Sequence, residues 1–231
     1  MESGNYLVLK VRGAYRLDKA HYYFSNSLPL IPQETDEDPE IGPLYGRYVG
    51  VEVLPFEGKG ELLIQSETKE IWEGNTYKGR KTEHKILKNT IPKEVLEKLK
   101  EYRKTRLTLD YDTKLYITPQ LINEIYKITK NPVFIKTERG YHVIINLSKP
   151  LNFEERLKLR EKLGDDPARM NYDIELAELG FEGLTDILFE YKWWRGEKQF
   201  HKWEITDKID ARGELSFELP EMKISFEDKE V

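Results

Sequence analysis

The chain predicts an α+β fold: a mixed or antiparallel sheet flanked by helices, with a β-rich N-terminal region. Three observations carry this. The first ~90 residues contain short alternating runs such as NYLVLKVRG and GELLIQS, with no helical period. Residues 92–104 and 119–130 place apolar side chains at helical spacing. Between 92 and 192, helical and strand-like segments then interleave, the pattern of a sheet covered by helices.

Residues 5–13 alternate and read as a strand, and 33–41 (QETDEDPEI) as an acidic loop. YVGVEVLPF and GELLIQS are two further strands around Gly58 and Gly60, and 74–90 (GNTYKGRKTEHKILKNT) reads as a basic loop running into a strand. PKEVLEKLKEYRK is a helix with Pro92 in its first turn. RLTLDYD (106–112) alternates as a strand. Thr118 caps a second helix, PQLINEIYKITK, with Pro119 at its first position and Leu121, Ile122, Ile125 and Ile128 on one face. Asn131-Pro132 ends it. VFIKT, a turn at Arg139-Gly140 and YHVIINL form a hairpin. Asn152 and Glu155 open FEERLKLREKLG as a capping box, and Gly164 closes that helix. Asp166 and Pro167 start another, running to Gly180. LTDILFEYK is a strand, WWRGEKQFHKWEI a hairpin, and the acidic tail holds one or two short strands. The organisation expected is a β-rich region over 1–91, an α/β core over 92–192 and a β-rich extension over 193–231.

Composition narrows the chemistry. Of 231 residues, 39% are hydrophobic and 34% charged, a soluble profile without the ~20-residue apolar run of a membrane span. The opening MESGNYLVLKVRG lacks the zones of a secretory leader, so a cytoplasmic protein with no membrane partner is expected. The absence of cysteine excludes disulfides, cysteine nucleophiles, thiolate zinc sites and iron–sulfur clusters. Abundant Lys and Glu with scarce Met point to a thermophilic source. A net charge of -5 does not favour nucleic acid as a whole-molecule partner, so local patches must carry any such role.

Asp110 and Asp112 lie two apart on one strand, so their side chains share a face with Thr108, opposite Leu107, Leu109 and Tyr111. Two adjacent carboxylates repel unless a cation joins them, and Mg²⁺ or Mn²⁺ suits such oxygen ligands. The alternative is a solvated strand end. In YHVIINL, His142, Ile144 and Asn146 share one face and Tyr141, Val143 and Ile145 the other. Both faces carry apolar residues, so the strand is expected to be central, and a ring buried there needs a polar partner. His142 is therefore either a satisfied core residue or part of a site. Strands separated by one helix often become neighbours, which would bring His142 beside the aspartates. Lys136, Arg139 and the backbone N–H groups near Gly140 could then hold phosphates.

A DxD strand followed by TERGYH resembles the catalytic core of the archaeo-eukaryotic primase (prim-pol) superfamily, whose second motif is often written SGxGxH. The GYH hairpin, the GDDPAR helix start and the LFEYK strand look like segments of small proteins of archaeal plasmids and viruses. The likeness covers 106–192. It implies a primase-polymerase-like nucleotidyltransferase, or a nucleotide-binding protein, in DNA replication of a mobile element. Asp110 and Asp112 would bind Mg²⁺ or Mn²⁺, and His142 would contact the triphosphate. Such an enzyme needs a third carboxylate. Asp173 sits within a predicted helix, so Asp186, on the LTDILFEYK strand, is the candidate. Without it the chain would be a degenerate member that binds nucleic acid without polymerising. GDDPAR reads as an ordinary helix start, or else sends Arg169 toward a phosphate.

Two basic stretches suit single-stranded or primer–template nucleic acid. One holds Lys78, Arg80 and Lys81 with Tyr77; the other holds Lys192 and Arg195 with Trp193 and Trp194. Bases stack on such rings while the cations meet phosphates. The alternative for the tryptophans is a satellite hydrophobic cluster. The acidic 33–41 loop could instead serve a host protein partner.

Overall fold

The structure, a computed structural model, describes residues 5–12, 17–26, 47–111, 118–136, 140–194 and 197–199. The acidic 33–41 loop and the tail beyond 199 lie outside these residues.

Among the described residues, two antiparallel sheets and their covering helices make up the α+β architecture. In the first, β1 (Asn5–Arg12) is flanked by β2 (Lys19–Ser25) and β3 (Arg47–Leu54). β4 (Gly60–Glu73) and β5 (Thr76–Asn89) extend it beyond β2, and β9 (Phe189–Trp194) and β10 (Glu197–Gln199) beyond β3. The order is β10-β9-β3-β1-β2-β4-β5. Leu7, Leu9 and Val11 alternate inward on β1 and meet Tyr22, Phe24, Leu62 and Ile64 from its neighbours. α1 (Lys93–Lys104) and α4 (Pro167–Glu178) cover that face with Val95, Leu99, Tyr172 and Leu176. The buried hydroxyls of Tyr22 and Tyr172 hydrogen bond each other at 2.8 Å, so two polar tips enter this core without loss.

The second sheet has the order β6-β8-β7, from β6 (Arg106–Tyr111), β7 (Val133–Lys136) and β8 (Tyr141–Asn146). The hairpin of β7 and β8 and the central place of β8 are as the sequence predicts. Leu107, Leu109, Tyr111, Tyr141, Val143 and Ile145 pack on Ile122 and Ile125 of α2 (Pro119–Ile128) and on Leu163 after α3 (Phe153–Lys162). The helix starts match their caps. Thr118 accepts from the Leu121 N–H at 3.2 Å, Asn152 and Glu155 close a reciprocal capping box, and Asp166 accepts from the Ala168 N–H at 2.9 Å. Each such cap contributes roughly 1 kcal/mol.

Two elements differ from expectation. Residues 74–90 are not a loop entering a strand: β5 runs through most of them, paired with β4 across a turn at Gly74, where φ is +58°. The outer half of this ribbon is largely exposed on both faces, so it needs no apolar alternation and showed none. Cross-strand pairs hold it instead, including Thr68 with Thr82 at 3.0 Å and an edge-on Trp72–Tyr77 contact at 5.3 Å. LTDILFEYK is also not one strand. A 3₁₀ turn spans Glu182–Leu184, Asp186 takes φ +65°, and β9 begins only at Phe189.

That turn lies against α1. A Cβ on Gly183 would come within 2.7 Å of the Leu99 Cβ and 2.8 Å of the Leu96 carbonyl and Lys100 nitrogen. Gly183→Ala is therefore expected to destabilise by about 1–3 kcal/mol, the usual cost of overpacking. Urea unfolding would reveal this, and an unchanged midpoint would mean that turn and helix separate at no cost.

Candidate functional site

Leu107, Leu109 and Tyr111 occupy one face of β6, which turns Thr108 and Asp110 to the other. In the register with β8, Asp110 stands directly opposite His142. The N–H groups of Thr108 and Asp110 and the Thr108 carbonyl all bond to side chains on the far edge of β6. Thr108 and Asp110 therefore occupy the non-hydrogen-bonded positions toward β8, where facing side chains come closest. The result is a contact of 3.1 Å between His142 Nε2 and Asp110 Oδ1. His142 is 5% exposed, on the face of the sheet that also carries Ile135, its partner on β7, and Ile144. The imidazole is thus both a buried ring with a polar partner and the neighbour of the first aspartate.

The outer edge of β6 is sealed by a buried ionic network. Asp186 accepts from the Thr108 N–H at 3.2 and 3.3 Å and from the Thr108 hydroxyl at 2.6 Å. Arg169 donates to the Thr108 carbonyl at 3.1 Å, to Asp165 at 3.0 Å, to Asp186 at 2.8 Å and to the Thr108 hydroxyl. Asp165 accepts the Asp110 N–H at 2.7 Å and the Arg160 Nε at 2.7 Å. Arg160 also binds Asp173 at 2.6 Å, and Asp173 accepts the Asp186 N–H at 3.0 Å. Nearby, Arg103 grips Glu52 with both terminal nitrogens, at 3.1 and 2.6 Å. Arg156 lies 3.5 Å from Glu182 and 3.7 Å from Asp186, and Arg106 lies 3.4 Å from Glu52. In this network, as far as the described residues show it, five guanidinium groups therefore face five carboxylates. Burial pushes the Asp186 carboxyl up, but Arg160, Arg169, Arg156 and Arg103 outweigh it and hold the group below its ordinary value.

The predicted site residues divide as follows. Asp110 and His142 are brought together. Asp112, Arg139 and Arg195 lie outside the described residues. Lys136 is placed by its backbone in β7, and Lys192, Trp193 and Trp194 by theirs in β9. Asp186 is not on a strand. It is fully buried, and its oxygens are taken by Thr108 and Arg169, so the guanidinium groups already supply the cations it faces. Lys78, Arg80 and Lys81 stand on the exposed ribbon, each beside a glutamate: Glu73 at 2.7 Å, Glu70 at 3.4 Å and Glu83 at 2.9 Å. The basic stretch is thus neutralised largely by its own hairpin.

Sequence reasoning missed Asp165, Arg160 and Arg103. One signal was present: Arg103 continues the Val95–Leu99 stripe of α1 at helical spacing, and so had to be buried. For a divalent cation, one carboxylate of the expected pair is in place beside one imidazole nitrogen. No group of three potential ligands occurs among the described residues, so any such site needs Asp112 or a group beyond them. No described helix is long and apolar enough to cross a membrane. Compared with family models, curated proteins and solved structures, the chain finds no match in any of the three.

Proposed function

We propose that the protein binds a nucleoside triphosphate with a divalent cation on the β6–β8 face, as the prim-pol likeness implies, in replication of a mobile element. The observation that carries this is the Asp110–His142 register pair, 3.1 Å apart on one face of the second sheet. That is the juxtaposition a DxD strand and a GYH hairpin require. Asp110 and Asp112 would hold Mg²⁺ or Mn²⁺, which would neutralise the triphosphate. Asp110 orients the imidazole through Nε2, and ring N–H groups are donors suited to phosphate oxygens. The engagement of Asp186 by Arg169 and Thr108 supports a reading of binding over polymerisation.

Nucleic acid is the second partner in this reading. The ribbon tip supports it: Trp72 and Tyr77 are 55% and 46% exposed, beside Lys78 and Arg80. Exposed ion pairs like those on the ribbon contribute little, so phosphates could displace the glutamates. The deciding experiment is calorimetric titration of dATP into the full chain with and without Mn²⁺. Metal-dependent binding supports the reading, and no heat in either titration ends it.

A further inference from the structure

The segment GDDPAR has work beyond starting α4. Asp166 alone makes the cap, through the Ala168 N–H. Its neighbour Asp165 is 2% exposed and turns the other way, onto the backbone N–H of Asp110 at 2.7 Å. Asp165 is itself held rigidly, by Arg160 Nε at 2.7 Å and by Arg169 Nη1 at 3.0 Å. Arg169 in turn grips the Thr108 carbonyl two residues earlier on the same strand. The stretch of β6 from Thr108 to Asp110 is therefore fixed from its outer edge, by charged side chains rather than by another strand.

We propose that Asp165, clamped by Arg160 and Arg169, is the positioning residue for Asp110, setting where its carboxylate stands against His142 and any ligand. This rests on the reading of Asp110 and His142 as a nucleotide site. A carboxylate accepting an N–H at 2.7 Å leaves the strand little freedom to slide or twist at that residue. Small displacements of a binding group are costly, which is why sites are built on rigid elements with supporting shells. The remaining network, centred on Arg103 and Glu52, touches neither Asp110 nor Asp165 and supplies the control.

The test compares Asp165→Asn with Glu52→Gln, each of which removes one buried carboxylate from the network. Two readouts are taken at fixed pH: the ¹⁵N resonances of the His142 ring and the Mn²⁺–dATP affinity. Asp165→Asn is expected to move the His142 resonances and weaken binding at least tenfold. Glu52→Gln is expected to lower the melting temperature while leaving both readouts in place. Equal effects from the two variants, or no shift of the His142 signals in Asp165→Asn, would overturn the proposal. Should Asp165→Asn fail to fold, Arg169→Lys keeps the charge but loses the two-pronged grip, and is judged by the same comparison. If wild type binds no Mn²⁺–dATP, the nucleotide reading falls, and the His142 resonances still decide whether Asp165 positions Asp110.

Discussion

Asp186→Ala is expected to lower the unfolding free energy by roughly 3–5 kcal/mol, the usual cost of breaking a buried ion pair by removing one partner. The deletion would take from Arg169 one of its two carboxylates and leave the Thr108 N–H without its acceptor, while the Thr108 hydroxyl would keep the Asp186 backbone carbonyl at 3.0 Å. Backbone strain adds to this, because Asp186 has φ +65° and alanine tolerates that region about 1–2 kcal/mol worse than it does the right-handed one. Asp186→Asn separates the two contributions, since asparagine accepts the left-handed conformation but carries no charge. Urea unfolding of both variants measures the difference, and a loss below about 1 kcal/mol in Asp186→Ala would show that the network contributes little. The charge contribution also has a pH signature. The arginines hold the folded carboxyl below its unfolded value of about 3.9. A depressed acid stabilises the fold above the unfolded value and loses that contribution as pH falls toward the folded one. The stability gap between wild type and Asp186→Asn should therefore be constant near neutrality and close below pH ~4.

The second large effect concerns ligand binding. Asp110→Ala is expected to abolish Mn²⁺-dependent dATP binding, a loss of at least about 100-fold, beyond the 10–100-fold typical of losing an outer-shell partner. His142→Gln keeps a polar group of similar reach but loses the ring that Asp110 orients. It should weaken binding by roughly 10- to 100-fold, the worth of one hydrogen bond to a charged group. Each variant also disturbs the buried 3.1 Å contact, so both should melt somewhat below wild type, and affinities are compared at a temperature where all three proteins are folded. Wild-type affinity in Asp110→Ala would remove the β6–β8 face from the proposed function, whatever His142→Gln did.

Local signals served well where structure is local. Thr118, the Asn152–Glu155 box and Asp166 announced three helix starts, because a cap is closed by residues two or three positions away. The faces of β6 and β8 were legible from alternation, and with them the approach of His142 to Asp110. Asp186 was misplaced because its conformation is set by distant partners, Thr108 and Asp173. The arginines of FEERLKLREK carry no local mark of their burial for the same reason. A buried guanidinium needs a carboxylate to meet it, and for Arg103 on α1 that carboxylate is on Glu52 of β3, 51 residues earlier. The ribbon was obscured by the reverse effect: with both faces exposed, nothing forced an apolar pattern onto it.

The sealed edge of β6 has a consequence for solvent. At an ordinary sheet edge, outward amides face water and trade their protons quickly. Those of Thr108 and Asp110 instead face the carboxylates of Asp186 and Asp165, beneath two arginines. In deuterated water, then, the strand whose position invites the fastest exchange would keep its protons as an interior strand does, and would release them only when the charges around it part.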